Sequence, residues 1–192
     1  VKIVMNQHMP DSMRRTITAD RLTFDGNTKI IDFWDHVVLT DKRVVLRTPH
    51  LSYYRVQDYA EYLLMGEITS DDNVLTSQKG YYYPKAEMAY FKESVKLVNP
   101  SFTMVTDTLG YNTATKVAFF LAPTWVNDSV NSMYTEDGYY DTEHKYALLH
   151  QNASIGDTTY TLYADTIEYD QGRDLGVAHG AIRLEQIDSS LT

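Results

Sequence analysis

Apolar positions along this 192-residue chain recur with a period of 29. Phe24, Tyr53, Tyr82, Tyr111, Tyr140 and Tyr169 form an aromatic column at that spacing without an insertion, the signature of an internal repeat. Ile17, Leu46, Leu75, Met104, Met133, Leu162 and Leu191 keep the same phase and are all apolar, as do Leu39, Ile68, Leu97, Val126, Ile155 and Leu184. A third apolar series reads Phe33, Tyr62, Phe91, Phe120, Leu149 and Ala178. Small residues recur at Ala19, Thr48, Ser77, Thr106, Thr135 and Ala164, and after Ile31 at Ala60, Ala89, Ala118, Ala147 and Gly176. Lys29, Asp58, Glu87, Lys116, Lys145 and Asp174 are charged in every copy. Six copies therefore fill residues 15–188 as a single repeat domain, with 1–14 a leader or part of a preceding copy and 189–192 the start of a truncated next one.

Within a copy the pattern predicts two long strands and no helix. Arg15 to Asp25 is rich in Thr, Ile, Leu and Phe, and Thr28 to Thr40 carries Ile30, Ile31, Phe33, Trp34, Val37, Val38 and Leu39, the composition of strands. Turn residues punctuate both ends: Asp25-Gly26-Asn27, Pro84, Asn112-Thr113 and Asp170-Gln171-Gly172 at one, Ser70-Asp71-Asp72, Asn99-Pro100 and Asn127-Asp128-Ser129 at the other. In the second strand Ile31, Phe33, Val37 and Leu39 share one parity and so one face. In the first, Ile17 and Ala19 agree, whereas Leu22 and Phe24 have the opposite parity. One extra residue between them, in every copy, predicts a bulge or corner at which the sheet bends. A two-strand unit allows an antiparallel meander rolled into a trough or a parallel β-solenoid; turns at both ends favour the meander.

Composition narrows the function. With 43% hydrophobic and 22% charged residues the chain can bury a core. Its longest apolar run, Val117 to Ala122, is far short of a membrane helix. A net charge of -9 with scattered Lys and Arg disfavours nucleic acid. The absence of Cys excludes disulfides, a thiol nucleophile and Cys-ligated zinc. His150 and His179 share a column on the parity opposite to the apolar face, where solvated imidazoles are expected rather than a metal site. Asp20, Asp107, Glu136 and Asp165 form an acidic column that also contains Pro49 and Gln78. Such acids could serve a carbohydrate-active solenoid, but their recurrence along the array suits strand ends better than a single catalytic pair. No Ser/His/Asp spacing, phosphate loop or His-x-x-x-His is present, so neither an enzyme nor a cofactor is expected.

Three stretches carry a family resemblance: Ala19-Asp20-Arg21-Leu22-Thr23-Phe24-Asp25, Thr106-Asp107-Thr108-Leu109-Gly110-Tyr111-Asn112 and Ala164-Asp165-Thr166-Ile167-Glu168-Tyr169-Asp170. With Gly176-Val177-Ala178-His179-Gly180-Ala181-Ile182 as the partner half, they resemble the OstA/LptA family of lipopolysaccharide-transport proteins. Val74-Leu75-Thr76-Ser77, Tyr81-Tyr82-Tyr83-Pro84 and Lys96-Leu97-Val98-Asn99-Pro100 are most similar to the longer OstA-like proteins of Bacteroidetes. The resemblance implies an all-β folded antiparallel meander, a β-jellyroll trough, in the periplasm, free or associated with the outer membrane. It implies a carrier or bridge element that binds the acyl chains of lipopolysaccharide or lipid A and meets other proteins of this fold, or itself, through terminal strand edges. Asp35-His36 replaces the family's glycine in the first copy, and Pro123 with Trp125 in the fourth predicts a departure in register there.

Under that resemblance the acyl chains are expected to touch Leu46, Leu75, Met104, Met133 and Leu162, facing Leu39, Leu97, Val126 and Ile155, with Phe33, Tyr62, Phe91 and Phe120. The pattern alone fits a dry core equally well, because a repeat protein must bury these columns to fold. The alternative is a structural or adhesive β-solenoid without a lipid ligand. Leu191 enters the apolar column of a seventh copy, so an open final edge is expected, moderated by Glu185, Gln186 and Asp188.

Overall fold

The structure is a computed structural model that describes residues 1–5 and 15–187; the expectations placed on 6–14 and on 188–192, Asp188 and Leu191 among them, lie outside the described residues. Two compact units divide the chain at Pro100 and Ser101. The first contains β1 (Lys2–Met5), β2 (Arg15–Thr18), β3 (Arg21–Phe24), β4 (Ile30–Asp41), β5 (Val44–Tyr54), β6 (Tyr59–Tyr62), β7 (Gly66–Ser70), β8 (Asn73–Ser77), β9 (Lys79–Tyr83) and β10 (Met88–Val98). One 3-10 turn, Pro84–Ala86, joins β9 to β10. The second contains β11 (Thr103–Asn112), β12 (Val117–Phe120), β13 (Thr124–Asn127), β14 (Ser132–Thr135), β15 (Asp137–Asp141), β16 (Tyr146–Gly156), β17 (Tyr160–Asp170), β18 (Leu175–His179) and β19 (Arg183–Gln186). No helix of the described residues is long and apolar enough to cross a membrane.

Pairings within the first unit define a meander whose arms are bent at mid-length into two leaves. In the lower leaf β2 pairs the end of β4, β7 pairs β8 and the start of β5, and β8 pairs the end of β10. In the upper leaf β3 pairs the start of β4, β6 pairs β9 and the end of β5, and β9 pairs the start of β10. The second unit repeats the plan: β11 pairs β12 with its end and β13 with its start, and β17 does the same with β18 and β19. All of these ladders are antiparallel, which overturns the solenoid alternatives, structural and carbohydrate-active alike.

The bend has a fixed chemistry. Where β4 meets β5, pairing breaks between Trp34 and Val37, and Asp35 and His36 adopt φ of 62° and 48°. Glu93 with Ser94 and Gln151 with Asn152 repeat this left-handed pair 58 and 116 residues later. Pro123 cannot take a positive φ, and Ala122-Pro123 lacks the left-handed pair. The fourth copy nevertheless keeps its register, contrary to expectation. Leu109 opposes Phe120 and Thr106 opposes Thr124, the same one-residue shift that separates Leu149 opposite Ile167 from Ala153 opposite Ala164. Pro123 stands in the corner, where the ladder is interrupted in every arm, so its missing N–H removes no ladder bond.

At the upper turns the charged column is the left-handed residue: Lys29, Asp58, Glu87, Lys116, Lys145 and Asp174 have φ between 52° and 61°. Five residues before the next arm, Asp25, Asn112 and Asp141 accept two backbone N–H groups each from the residues two and three positions on, a common turn device of Asx side chains. These bonds hold the Asp25 and Asp141 carboxyls below the ordinary carboxylate range. In the leader, Ile3 of β1 opposes Ile17, where a strict period would put Pro10, a residue with no N–H for a ladder.

Candidate functional site: the apolar inner face

Register converts the sequence columns into rows running across the strands. Leu39 opposes Ile17 and Leu46, Leu46 opposes Ile68, Ile68 opposes Leu75, and Leu75 opposes Leu97. In the second unit the same row reads Met104, Val126, Met133, Ile155, Leu162 and Leu184. Nine of the thirteen residues expected to touch lipid thus form a single row on the lower leaf of each unit. The other four, Phe33, Tyr62, Phe91 and Phe120, belong to the matching row of the upper leaf, with Leu22 and Phe33 opposed to each other and Gly80 opposed to both Tyr62 and Phe91. In the first unit the two leaves pack inner face to inner face, since Ile17, Ala19 and Leu46 form one core cluster with Phe33, Leu51 and Tyr62.

Burial varies within the lower row. Ile17, Leu46, Leu75 and Met104 are buried, as are Phe33, Tyr62, Phe91 and Phe120 of the upper row, whereas Leu39, Leu97, Val126, Met133, Ile155 and Leu162 are only partly so. Val37, Val95 and Ala153 at the corner are at most 1% exposed, as is Ile167 opposite Leu149 in the upper row. The aromatic column sits above, towards the upper turns. Tyr82 sits between Ala60 and Ala89 and Tyr140 between Ala118 and Ala147, while Tyr53 opposes Ala60 on one side and Ile31 on the other. The periodic alanines therefore provide room for phenol rings from adjacent strands. Burial raises the phenols of Tyr53, Tyr111, Tyr140 and Tyr169.

Tyr62 is held more tightly than any lining role requires. A β-carbon on either Gly66 or Gly80 would overlap its ring, and its hydroxyl lies 2.6 Å from Ser77 Oγ, which donates to the Lys79 carbonyl. Burial pushes this phenol up to about 12. The sequence pattern placed Tyr62 among the lining residues but could not show the two glycines around it, because that requires the register.

The small polar column closes the corner. Thr48, Thr106 and Thr135 are buried, and Thr48 Oγ1 donates to Met65 O at 2.9 Å, Thr135 Oγ1 to His150 O at 2.9 Å, while Thr106 Oγ1 accepts from Thr124 at 3.0 Å. These hydroxyls satisfy backbone and side-chain groups at the point where the ladder is broken. Among the described residues no buried side-chain polar atom lacks a partner.

The acidic column serves the outside of the same corner. Asp20 Oδ2 lies 2.7 Å from His36 Nδ1, Glu136 Oε1 accepts from Asn152 Nδ2 at 2.9 Å, and Asp165 Oδ2 accepts from the Ala181 N–H at 3.0 Å. Each pair is 16 residues apart. At Asp107 the equivalent partner is Pro123, which has no N–H, and the acid accepts instead from Thr108 Oγ1. These carboxylates are thus corner fasteners spread along the chain. His150 and His179 lie beside Asp137 and Glu168, half exposed; among the described residues no three His, Asp or Glu side chains converge as metal ligands.

One polar group on the outer face escaped the sequence. Asp32 and Ser52 oppose each other across β4 and β5; Ser52 Oγ donates to Asp32 Oδ1 at 2.6 Å, and His50 Nε2 lies 3.1 Å from the same oxygen and 3.4 Å from Ser52 Oγ. Trp34 stacks on the His50 ring at 3.8 Å. Serine and aspartate both approach the same ring nitrogen, so the imidazole cannot take a proton from serine at one nitrogen while aspartate orients the other. The trio is a cross-strand hydrogen-bond cluster.

A bent antiparallel meander, its inner face apolar and its acids committed to corners, defines a β-trough repeat protein. The family model described as OstA-like protein matches residues 3–107 and 103–165, and the chain belongs to that family. The family is one of non-enzymatic transport proteins. Among solved structures the chain is similar to LptH from Pseudomonas aeruginosa, described as the LptA-homologous periplasmic component of the conserved lipopolysaccharide transport device, at 12% identity and a TM-score of 0.49, over 55% of this chain and 80% of that one. No curated protein matches.

Proposed function

We propose that this protein is a periplasmic carrier or bridge for lipopolysaccharide, holding lipid A acyl chains against the inner faces of its troughs. Membership of the OstA-like family supports this, and the observation that carries it is the continuous apolar row of the lower leaf, in which buried Ile17, Leu46, Leu75 and Met104 are joined by half-buried Leu39, Leu97, Val126, Met133, Ile155 and Leu162. Leu39, Leu46, Leu75, Leu97, Met104, Val126, Met133, Ile155 and Leu162 are the proposed first contacts, with Phe33, Phe91 and Phe120 behind them. Tyr62 has the role of a wall post, since its ring is already enclosed. Burying one acyl chain of about 12 to 14 carbons would contribute at most ~10 kcal/mol, ample to keep it out of water. The partners are lipopolysaccharide or lipid A at the inner face, and proteins of the same fold, or a second copy, at β19.

A photo-crosslinking residue placed at Leu97 or Ile155 should capture lipopolysaccharide in cells, with far less capture from Lys92, which is on the outer face of β10. Equal capture from Leu97 and Lys92 would overturn the trough reading. Mass spectrometry of lipid that co-purifies with the protein tests ligand and compartment together.

A further inference from the structure

In the first unit the Arg15 side chain joins the rims of the two leaves. Arg15, at the start of β2, opposes Asp41 on the lower leaf. Its Nε donates to Asp41 Oδ2 at 2.5 Å, and its Nη2 donates to the Tyr82 hydroxyl at 3.3 Å, with the guanidinium carbon 5.5 Å from the centroid of the Tyr82 ring. Tyr82 is in β9, on the upper leaf and 67 residues away. The two contacts are unequal. The one within the lower leaf is short and pairs opposite charges, both about one-quarter to one-third exposed, and hydrogen bonds of that kind are the stronger ones. The one that crosses between leaves is long, ends on a neutral phenol and adds a cation–π contact near its outer distance limit. The rim can thus part at Tyr82 while Arg15 stays attached to Asp41.

We propose that Arg15 is a latch across the mouth of the first unit's trough, and that an acyl chain enters when the guanidinium releases Tyr82 and pivots on Asp41. This rests on the reading of the inner face as a lipid site. The geometry fits the function: the apolar pair Ile17 and Leu39 stands two residues inward of Arg15 and Asp41 on the same two strands, so the latch spans the rim at the end of the apolar row. Asp41 keeps the charged group solvated by a fixed partner in both states, which removes the cost of leaving a partly buried cation unpaired.

The chain has no cysteine, so spin labels can be placed at Val56→Cys, in the upper-rim turn between β5 and β6, and Asp72→Cys, in the lower-rim turn between β7 and β8. Arg15→Ala should lengthen and broaden the distance distribution between them. Arg15→Lys, which keeps the Asp41 pair but lacks the second arm, should do the same with less effect on stability, and Tyr82→Phe should give an intermediate change. Distributions identical to wild type in all three overturn the latch. Uptake of the apolar dye N-phenyl-1-naphthylamine should be about fivefold faster in Arg15→Lys, the change expected from losing one weak hydrogen bond and part of a cation–π contact. A reversible bis-thiosulfonate linker joining the two thiols of an Arg15→Cys, Tyr82→Cys double variant should block uptake until it is reduced. Rims shown apart with uptake rates unchanged overturn the gating role. Absence of dye from every variant overturns the lipid reading of the interior instead, and reduces Arg15 to a brace.

Discussion

At the scale of single residues, close approach matters more than hydrophobicity. Gly80 opposes Tyr62 and Phe91 in the upper row, and the column that contains it holds Leu22, Leu51, Leu109 and Ile167 in other copies. Glycine at 80 is explained by the Tyr62 ring lying against its Cα. Gly80→Ala should therefore cost about 1–3 kcal/mol by overpacking, and much less when combined with Tyr62→Leu, which removes the ring; urea denaturation of the two single variants and the double variant checks this. Gly138, at the same column position one double copy later, has φ of 151°, and a β-carbon there would strike the Leu148 carbonyl, so two glycines in one column have two different causes. Turn carboxylates form a second set of local effects. Asp25, Asp128, Asp141 and Asp157 are all held below the usual carboxylate range, in each case chiefly by backbone N–H bonds. A depressed folded-state value contributes stability that is complete above the unfolded value near 4 and is lost as pH falls below it. The urea midpoint should thus decline between about pH 5 and pH 3, and Asp157→Asn should flatten part of that decline.

At the scale of the element, what was legible in the sequence depended on whether an insertion was odd or even. The single extra residue after Ala19 reverses side-chain parity, so it separates Ile17 and Ala19 from Leu22 and Phe24, and the structure places the break between β2 and β3 there. The paired left-handed residues Asp35 and His36 in β4 are an even insertion. They leave Phe33 and Val37 on one face, and parity could not reveal them. The apolar columns were equally readable, but the opposition of Tyr82 to Ala60 and Ala89, the enclosure of Tyr62 and the reach of Arg15 to Tyr82 all depend on register or on contacts across leaves. The acidic column has a role specific to the corner, and its copies differ in a testable way. Asp165→Ala removes the acceptor of the Ala181 N–H and should cost about 1 kcal/mol, with faster hydrogen exchange at Ala181. Asp107→Ala, opposite a proline, should change stability little; equal losses at both positions would remove the fastener interpretation.

At the scale of the whole molecule, the inner face is least covered in its last strands. Among the described residues β19 pairs with β17 on one side, and Leu184, in the same row as Ile155 and Leu162, is 64% exposed, with Ile182 at 58%. A backbone edge with apolar side chains beside it can accept a further strand. Glu185 and Gln186 on that strand limit indiscriminate pairing. Ile187 donates its N–H to the Thr159 carbonyl, so by alternation Glu185 and Arg183 also bond towards β17 and the N–H groups of Leu184 and Gln186 face the open side. Sedimentation across a wide concentration range should reveal growing oligomers or a complex with another protein of this fold, and Leu184→Pro or Gln186→Pro should diminish it by deleting an edge donor. A species that stays monomeric throughout, with proline variants behaving alike, would show that this edge is covered.

The one-residue shift at each corner also sets how such a chain can grow. Because every arm carries the same shift, a segment of 29 residues can be duplicated or lost without changing which side chains face inward, whereas gain of a single residue inside an arm would turn its apolar set outward. Length is therefore quantised. A lineage can lengthen its troughs in whole modules by in-frame tandem duplication, each module of two arms adding two more positions to every row, and the sequence of each new copy can then drift at the lining while glycine, threonine and aspartate at the corners stay under the stricter constraint.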